Sequence, residues 1–466
     1  MCIYEFRKKR MFMKFTLVSL LFVVTACSSS HKKEIPDINP MPGNVSMIQA
    51  ATGATETYIN ILRGRWANYS YYVETKGQRT GMLRKYSEVV PGADYQWAVD
   101  KIHVSQLEPN IKYELVVYHN KFKTEIERRE FYTLDLSKKK LKFVVGSCMS
   151  ENHIFQHVIP EIWNLVNKQN PDLLLLIGDN VYVDEFDLVR RNQNVSARDI
   201  WQRYIDTIRN LPIYKQRKLV PILATWDDHD FGTNNSNKNF HKKEVAKKVF
   251  RAFYSSPNIK GVTEYFKNNI SFQFMGFGQR FIFLDNRFYR EKPGSSSKNG
   301  HFGKEQNKWA FDSLNQRDLP TWFVSGGQFF SSQFLLKNGR QVNETFMEDY
   351  KSNHQEFVSK LATSNSPVAF LSGDIHYTEI MKIGKDQLGY TSYEVTSSPM
   401  HSFIFRPKKK ADEFFSNPKR LVAVKDYNFV VIESQVNSNK EWNIKVKAVG
   451  PKNPDGFFEK NYNIYR

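Results

Sequence analysis

Four short apolar runs of this chain each end in side chains that can bind metal ions or transfer protons. The runs are rich in Val, Leu and Ile, which is typical of strands buried on both faces of a sheet. Sheets of this kind bind ligands at the carboxyl ends of their strands, so we expect the side chains that follow the runs to converge. The motifs are Gly146-Ser147-Cys148, Gly178-Asp179-Asn180-Val181-Tyr182, Thr225-Trp226-Asp227-Asp228-His229-Asp230 and Ser372-Gly373-Asp374-Ile375-His376.

The segment 141–466 alternates between strand and helix patterns, which favours an α/β domain with helices outside a mostly parallel sheet. Apolar residues at helical spacing predict helices over 155–166, 197–210 and 242–254. Pro160 must start or kink the first of them. Further strands are predicted over 280–284, 321–325, 393–396 and 429–432.

The segment 44–136 has a different pattern, with short alternating strands separated by turn residues. Strands are predicted over 57–62, 70–74 and 113–118. The stretch Leu107-Glu108-Pro109, followed by Tyr113, resembles the tyrosine corner of fibronectin type III and related sandwiches. We therefore predict one β-sandwich here, with the basic residues 138–140 as the linker to the second domain.

The N-terminal apolar run, residues 15–24, follows Lys14 and ends at Val24, the first residue of the stretch Val24-Thr25-Ala26-Cys27. This arrangement resembles a bacterial lipoprotein signal over 1–27, with lipidation at Cys27 and a polar tether over 28–43. It implies a lipid-anchored protein of the cell envelope, in the periplasm or at the outer membrane. The run is too short to cross a hydrocarbon core of ~30 Å. An uncleaved N-terminal anchor is the alternative.

Charge and cysteine content narrow the possible chemistry. The formal net charge of +19 suits phosphate esters, acidic membrane surfaces or nucleic acids, although scattered lysines can also form a generally basic surface. No stretch interleaves aromatic and basic residues as single-strand grooves do, so we expect no specific nucleic-acid partner. If Cys27 is acylated, Cys148 has no partner for an internal disulfide. Its place among the four motifs favours a metal-bound thiolate over a core residue.

Together, the four motifs resemble the PhoD-like alkaline phosphatase family of metallophosphoesterases. Weaker similarities lie over 284–290 and 303–309, and the resemblance covers about residues 44–400. It implies a four-layer α/β/β/α sandwich with the metals at one edge of its two sheets. It also implies that the fibronectin type III-like sandwich is the N-terminal domain that this family often carries.

The resemblance also implies the ligands. Cys148, Asp179, Tyr182 and His376 would bind Fe(III), and Asp179 would bridge to a Ca(II) ion held by Asp227, Asp228 and Asp374. A phenol becomes a phenolate ligand only beside a strong Lewis acid, and hard oxygen ligands suit calcium. Family members often carry Asn where Asp227 stands, which leaves other divalent metals open at the second position.

The expected reaction is hydrolysis of a phosphate ester by a metal-bridged hydroxide. His229 is placed to protonate the leaving oxygen, while Asp230 either orients His229 or caps a turn. Arg287 and Arg290 either clamp the phosphate or are structural, and His401 is a candidate for the cleft lining. No Ser or Thr has the setting of an activated nucleophile.

Three alternatives remain open from the sequence. The first is a non-enzymatic surface lipoprotein with a degenerate phosphatase scaffold, against which the intact ligand set argues. The second is an extracellular nuclease, which the positive charge motivates. The third lies within the enzyme class, as a phosphodiesterase or phospholipase instead of a phosphomonoesterase, because the fold does not decide the substrate.

Overall fold

The computed structural model describes residues 45–90, 96–185, 194–293, 299–330, 344–405, 419–437 and 441–466, which all belong to one structural unit, Ile38–Arg466. The signal segment 1–27, the tether 28–43 and Cys27 lie outside the described residues. The boundary between a sandwich domain and a catalytic domain stays a prediction. Among the described residues, no helix has the length and apolarity needed to cross a bilayer.

The regular elements described between residues 46 and 132 are all strands, as the alternating pattern predicts. These are β1 Ser46–Thr52, β2 Thr57–Gly64, β3 Tyr69–Thr75, β4 Gln78–Arg79, β5 Met82–Val90, β6 Trp97–Ser105, β7 Lys112–His119 and β8 Thr124–Tyr132. Within the described residues they make two antiparallel four-stranded sheets, ordered β1-β2-β6-β5 and β4-β3-β7-β8. Side chains from both sheets share one apolar core, since alternate residues of each strand point to the same face.

Two polar contacts fix this region. The hydroxyl of Tyr113 accepts a hydrogen bond of 2.8 Å from the Glu108 N–H, which is the contact that a tyrosine corner requires. Asp100 on β6 binds Arg63 of the neighbouring strand through both oxygens, at 2.7 and 2.9 Å. Tyr71 on β3 donates to the same carboxylate at 2.6 Å, so this buried group links the two sheets.

The remaining described residues form two larger sheets and their helices. The strands are β9 Lys140–Gly146, β10 Leu173–Ile177, β11 Ile222–Thr225, β12 Thr263–Tyr265, β13 Phe272–Gly276, β14 Gln279–Phe283, β15 Thr321–Val324, β16 Val368–Ser372, β17 Thr378–Ile383, β18 Ser392–Thr396, β19 Lys419–Val424, β20 Phe429–Val436, β21 Trp442–Gly450 and β22 Asn453–Ile464. The helices are α1 Ile159–Gln169, α2 Ala197–Asn210, α3 Asp228–Phe231, α4 Lys243–Tyr254, α5 Lys304–Asn315, α6 Phe346–Asp349, α7 Lys351–Thr363 and α8 Lys385–Leu388, with 3₁₀ turns at His153–Phe155 and Pro212–Tyr214.

The expectation of a mostly parallel sheet is wrong, because both sheets are mixed. The six-stranded sheet is ordered β11-β10-β9-β20-β21-β22, and only β9, β10 and β11 run parallel to one another. The eight-stranded sheet is ordered β12-β13-β14-β15-β16-β18-β17-β19, with a parallel centre of β14, β15, β16 and β18. Hairpin strands close to one another in sequence extend each parallel centre, and these can pair antiparallel without a crossover helix.

Alternation along the central strands determines what each face contacts. Val144 and Leu176 pack in one core with α1, α2 and α4. The intervening residues, such as Val145 and Leu175, pack in a second core with the eight-stranded sheet, α5 and α7. Apolar cores cover both faces of β9 and β10. Polar side chains therefore occur where these strands end, in the loops at their carboxyl ends.

The predicted helices lie close to the observed ones. α1 begins at Ile159 with Pro160 in its first turn, where a missing N–H has no cost, so the proline starts the helix. α2 has the predicted bounds and a capping box between Ser196 and Asp199.

Candidate metal centre

The loops that follow β9, β10, β11 and β16 meet and bring metal-binding side chains together. Three groups of side chains have ligand atoms that all lie within 4.8 Å of one another. They are Cys148 with Asp179 and His376, Asp179 with Asp228 and His229, and Asp227 with Asp228 and Asp374. The sequence-predicted ligands from both large sheets thus converge, with Asp179 and Asp228 each shared between two groups.

The backbone is unusual at four of these positions. Non-glycine residues rarely adopt positive φ, and each instance costs on the order of 1 kcal/mol or more. Such conformations occur here at Cys148 (φ 55°), Asp179 (φ 51°), Asp374 (φ 72°) and His376 (φ 58°). Strained backbone of this kind concentrates at functional sites, where the surrounding structure holds it in place.

Glycines allow the loops of the two sheets to touch. A Cβ at Gly326 would lie 2.5 Å from the Trp226 carbonyl oxygen and 2.7 Å from the Asp227 Cβ. A Cβ at Gly373 would lie 2.7 Å from the Ile177 carbonyl oxygen. No side chain fits at either position without movement of neighbouring backbone, so direct contact between backbones sets the spacing of the ligand loops.

The first ligand group offers sulfur, oxygen and nitrogen donors. Oδ2 of Asp179 lies 3.6 Å from Cys148 Sγ and 3.3 Å from the Tyr182 hydroxyl, which places the phenol in the same group. His376 Nδ1 lies 2.6 Å from the Phe403 carbonyl oxygen. A neutral ring that donates from Nδ1 keeps its lone pair on Nε2, which is the usual arrangement of a metal-ligating histidine.

The charge balance of the site fits cations. Burial and the nearby carboxylates raise the pKa of Asp179 and that of Asp374 well above the usual value of an aspartate. Burial also raises the pKa of the Cys148 thiol and the Tyr182 phenol. Asp179 Oδ1 and Asp227 Oδ2 are fully buried and have no hydrogen-bond partner within the described part of the chain. Buried carboxylates in this number are stable together only beside positive charge, so the donor set fits bound metal ions.

Arg287 supplies part of that positive charge. Its side chain is fully buried, and its guanidinium contacts Asp227 through Nε and lies 3.7 Å from Asp228 Oδ1. Although burial alone would raise the pKa of Asp228, Arg287 and His229 outweigh it and lower that pKa. Arg290 lies 3.1 Å from Glu344 and 3.4 Å from Asp349. The sequence left a phosphate clamp and a structural role open for both arginines. In the structure, each of them pairs with carboxylates inside the protein.

His229 is held by a residue that the sequence reasoning missed. Its Nδ1 lies 2.6 Å from Asp184 Oδ1, and its ring packs against Tyr182 at a tilt of 31°, with the centroids 4.5 Å apart. Burial alone would lower the pKa of His229, but the carboxylates around it, including Asp184, raise it to about 10. These carboxylates therefore favour the protonated form of the ring. The only sequence signal for Asp184 was its place in the loop after β10.

The sequence left two roles open for Asp230, to orient His229 or to cap a turn, and its contacts in the structure are those of a turn cap. Its Oδ1 accepts from the N–H groups of Asn180 and Val181, both at 3.0 Å, and its Oδ2 accepts from the Asp227 N–H at 2.9 Å. It therefore caps the turn and ties the loop after β10 to the loop after β11.

His401 lies inside the protein and does not line an open cleft. Its side chain is fully buried, Nδ1 lies 2.8 Å from the Ser150 carbonyl oxygen, and the ring packs edge-on against Trp163. Its main chain bonds Cys148 and Ser150 on either side. Burial lowers the pKa of His401 to about 4, so the ring is neutral. The residue holds the Cys148 segment in place.

Known proteins share sequence features and the fold of this chain. The family model of PhoD-like phosphatases matches residues 143–446, beginning later and extending further than the sequence resemblance did. Alkaline phosphatase D of Bacillus subtilis (strain 168) is 22% identical over 354 residues, which is 65% of this chain and 57% of that protein. The chain thus matches little more than half the length of this relative. A solved structure of PhoD has the same fold, with a TM-score of 0.66, 14% identity and coverage of 90% of this chain and 91% of that one.

Proposed function

This chain belongs to the PhoD-like phosphatase family, and from this membership we propose that it hydrolyses phosphate esters at the metal centre described above. The family is metal-dependent. The observation that carries the proposal is the convergence of Cys148, Asp179 and His376, whose ligand atoms lie within 4.8 Å of one another. A thiolate, a carboxylate and an imidazole from three separate loops make a transition-metal site and a poor surface for a binding partner.

The donors divide by chemistry into two sets. Cys148, Tyr182 and His376 provide the softer and phenolic donors that suit Fe(III), and Asp227, Asp228 and Asp374 provide the hard oxygens that suit Ca(II), with Asp179 between the two sets. When bound, such ions supply a water of lowered pKa for attack on phosphorus and neutralise the charge of the phosphate oxygens.

The protein's own residues provide the proton and the positioning. Asp184 accepts from His229 Nδ1, so the proton available to substrate is on Nε2, from which His229 protonates the leaving oxygen. Arg287 neutralises Asp227 and Asp228, which lets these carboxylates lie side by side in a buried site. No serine or threonine is assigned a nucleophilic role.

The finer architecture and location complete the proposal. We assign the two large sheets and their covering helices to a four-layer αββα sandwich, which the two apolar cores support. We assign residues 46–132 to a fibronectin type III-like domain, which the Tyr113 corner supports. Lipidation at Cys27 would place the enzyme on the bacterial cell envelope. The sequence resemblance alone supports this location.

Elemental analysis together with an ester screen tests the proposal. Protein starting at Ser28, produced with iron and calcium supplied, is expected to hold both metals. It is also expected to hydrolyse p-nitrophenyl phosphate, bis(p-nitrophenyl) phosphate or both. Zinc or manganese alone would keep the phosphoesterase and overturn the assignment of Fe(III). Folded protein without stoichiometric metal and without turnover would favour a degenerate scaffold with a binding role.

A further inference from the structure

Two neighbouring turns of the N-terminal sheets carry the two most exposed large apolar side chains of the described residues. Trp66 is 79% exposed and Phe122 is 67% exposed. Single exposed apolar residues are common on protein surfaces, but two aromatic rings in adjacent turns mark an interaction site. Trp66 follows β2, and Phe122 lies between β7 and β8. We call the turns 65–68 and 120–123 together the tip surface.

Hydrogen bonds hold the two turns side by side. The Asn120 N–H donates to the Asn68 carbonyl oxygen at 3.0 Å, and the Asn120 side-chain amide donates to Asn68 Oδ1 at 2.8 Å. The Ser70 hydroxyl, near the start of β3, donates to Asn120 Oδ1 at 2.8 Å. β3 and β7 are neighbours in one sheet, with Tyr69 opposite His119. Both exposed rings therefore lie at one end of the N-terminal sheets.

The turn that carries Trp66 is fixed from inside the protein. The buried Arg63 guanidinium donates through Nη1 to three main-chain carbonyl oxygens of residues 64–67, at distances of 3.0 to 3.2 Å. The same guanidinium is paired with Asp100, which links the two sheets. Because the backbone of this turn is bonded to the core, the exposure of Trp66 is a fixed feature of the fold.

Basic side chains surround the two rings. Lys121 and Lys123 flank Phe122 and are exposed, and the Arg65 guanidinium lies over the Trp66 ring, 4.6 Å from its centroid. Neither turn contains an acidic residue. Aromatic rings, indole above all, favour the headgroup level of a bilayer, and cations are attracted to the negative surface of anionic lipids. The tip surface thus has the composition of a membrane-contact site.

The chain enters the N-terminal sheets at the same end. Ser46 of β1 pairs with Leu62 of β2, and Leu62 lies only four residues before Trp66. The segment 1–44, which includes the predicted lipidation site Cys27, therefore joins the described fold beside the tip surface. A lipid anchor on this segment would bring the tip surface close to the membrane that holds it.

We propose that the tip surface rests on an anionic phospholipid bilayer, with Trp66 and Phe122 in the headgroup region and Lys121 and Lys123 against the lipid phosphates. This contact goes beyond the proposed chemistry and does not depend on the metal centre. It also does not depend on lipidation at Cys27, which would only raise the local concentration of membrane around the tip surface. A contact at one end of the N-terminal sheets sets the orientation of the protein on the bilayer.

Vesicle binding by protein without the anchor tests the contact. Protein starting at Ser28 contains the whole unit Ile38–Arg466 and lacks Cys27. It is mixed with vesicles of phosphatidylcholine and phosphatidylglycerol in equal parts, or of phosphatidylcholine alone, and cosedimentation gives the partition coefficient. We expect the wild-type protein to bind the anionic vesicles, and to bind the neutral vesicles more weakly by about tenfold or more.

Two kinds of variant separate the rings from the general positive charge. Trp66→Ala and Phe122→Ala should each weaken binding to the anionic vesicles about tenfold, as the loss of one buried aromatic side chain predicts. Lys121→Gln combined with Lys123→Gln should weaken it about 25-fold, or roughly fivefold for each charge near an anionic surface. Tyr86→Ala, at another exposed ring of the N-terminal sheets, is the control and should bind like the wild type.

The fluorescence of Trp66 reports the contact directly. It is the only exposed tryptophan in the described part of the chain, so phospholipids with brominated acyl chains should quench mainly this residue. Trp66→Phe should keep most of the binding and lose the quenching. Equal quenching in Trp66→Phe would show that another part of the chain contacts the bilayer and would overturn the proposal.

The remaining outcomes also decide the question. If the wild-type protein does not bind anionic vesicles, the proposal is refuted. Equal binding by the wild type and Trp66→Ala would assign the affinity to scattered lysines and refute it as well. A wild-type dimer in light scattering that is monomeric in Trp66→Ala, without vesicle binding, would identify a second copy of the chain as the occupant. Hydrolysis of p-nitrophenyl phosphate in solution should be unchanged in Trp66→Ala, so this contact and the proposed function can fail separately.

Discussion

The imidazole of His229 is bound at Nδ1 by the carboxylate of Asp184, with Oδ1 at 2.6 Å. The second oxygen of Asp184 accepts from the Asn234 N–H at 3.0 Å, so the carboxylate is held on both sides. Asp184 lies on the loop that follows β10, His229 lies in α3 just after β11, and both are buried. This contact fixes the orientation of the His229 ring.

Removal of this contact should reduce the rate of the chemical step. In Asp184→Ala, we expect kcat to fall roughly 10²-fold, the lower end of what general acid catalysis contributes, because the ring loses its orientation and its charged partner. Metal content should stay unchanged, since Asp184 belongs to none of the ligand groups. Steady-state kinetics with metal analysis checks this, and Asp172→Asn, a change at an exposed carboxylate, is the control. Loss of metal in Asp184→Ala would contradict the assignment.

Metal content should distinguish variants of the metal ligands from a variant of the proton donor. Asp179→Asn and His376→Ala should lose both bound metal and turnover, because each removes a donor from the group that contains Cys148. His229→Ala should keep the metal of the group that contains Cys148, to which His229 does not belong, and should lose kcat. Metal analysis of the three variants beside their rates makes the distinction. Full activity in Asp179→Asn would refute the proposed mechanism.

Arg287 is expected to matter for stability because it is fully buried among carboxylates. Arg287→Met leaves Asp227 and Asp228 without their cationic partner, and breaking a buried pair costs about 3–5 kcal/mol. Chemical denaturation of metal-free protein measures this free energy of unfolding. The matched control is Arg84→Met on an exposed strand position, which should change it by less than about 0.5 kcal/mol. Equal stability of the two variants would show that Arg287 is not needed to balance the site.

The metal should stabilise the protein more at higher pH. In the metal-free protein, the pKa of Asp179 and that of Asp374 are raised, so their stabilising protonated forms are lost as the pH rises through those values. Bound cations remove this penalty, and the ligands must release protons to bind them. The difference in Tm between metal-loaded and chelated protein should therefore widen as the pH rises above the ordinary carboxyl pKa of about 4. In Asp179→Asn, which is expected to lose its metal, the difference in Tm should be close to zero at every pH. A difference that stays constant with pH in the wild-type protein would contradict the argument.

Gly326 should tolerate no side chain. The added methyl group of Gly326→Ala would lie 2.5 Å from the Trp226 carbonyl oxygen, which forces the loop that carries Asp227 to move. Such overpacking costs about 1–3 kcal/mol, and we expect weaker metal binding with the secondary structure retained. Metal titration and circular dichroism test this. Gly64→Ala, where a Cβ meets nothing within 4 Å, is the control.

The sequence predicted those strands and helices whose pattern lies in neighbouring residues. A buried apolar run followed by a polar loop predicted β10 with Asp179 and β16 with Asp374, because the carboxyl edge of a parallel strand has few alternatives. The helix over 197–210 was predicted with its observed bounds, since its capping residue and its period agree.

The partners of these residues could not be predicted in the same way. The pairing of Asp184 with His229 joins positions 45 residues apart, and nothing in either local pattern marks it. The same holds for Arg287, whose contact with Asp227 spans 60 residues. A lone arginine after a strand suits a phosphate clamp and a buried pair equally well. The C-terminal strands β20 to β22, which extend the first sheet antiparallel, also depend on long-range pairing that a period cannot reveal.

The meeting of loops from two sheets has a consequence for the order of assembly during synthesis. Cys148 and Asp374 are in contact although 226 residues separate them along the chain. A ribosome-bound chain that has completed the first three motifs carries only part of each ligand set, and its thiolate and carboxylates would hold metal weakly. Metal uptake must therefore follow the docking of β16 against the first sheet, late in folding. Metal content would then report that β16 has docked, and a chain truncated or stalled before β16 would be recognisable by its lack of metal.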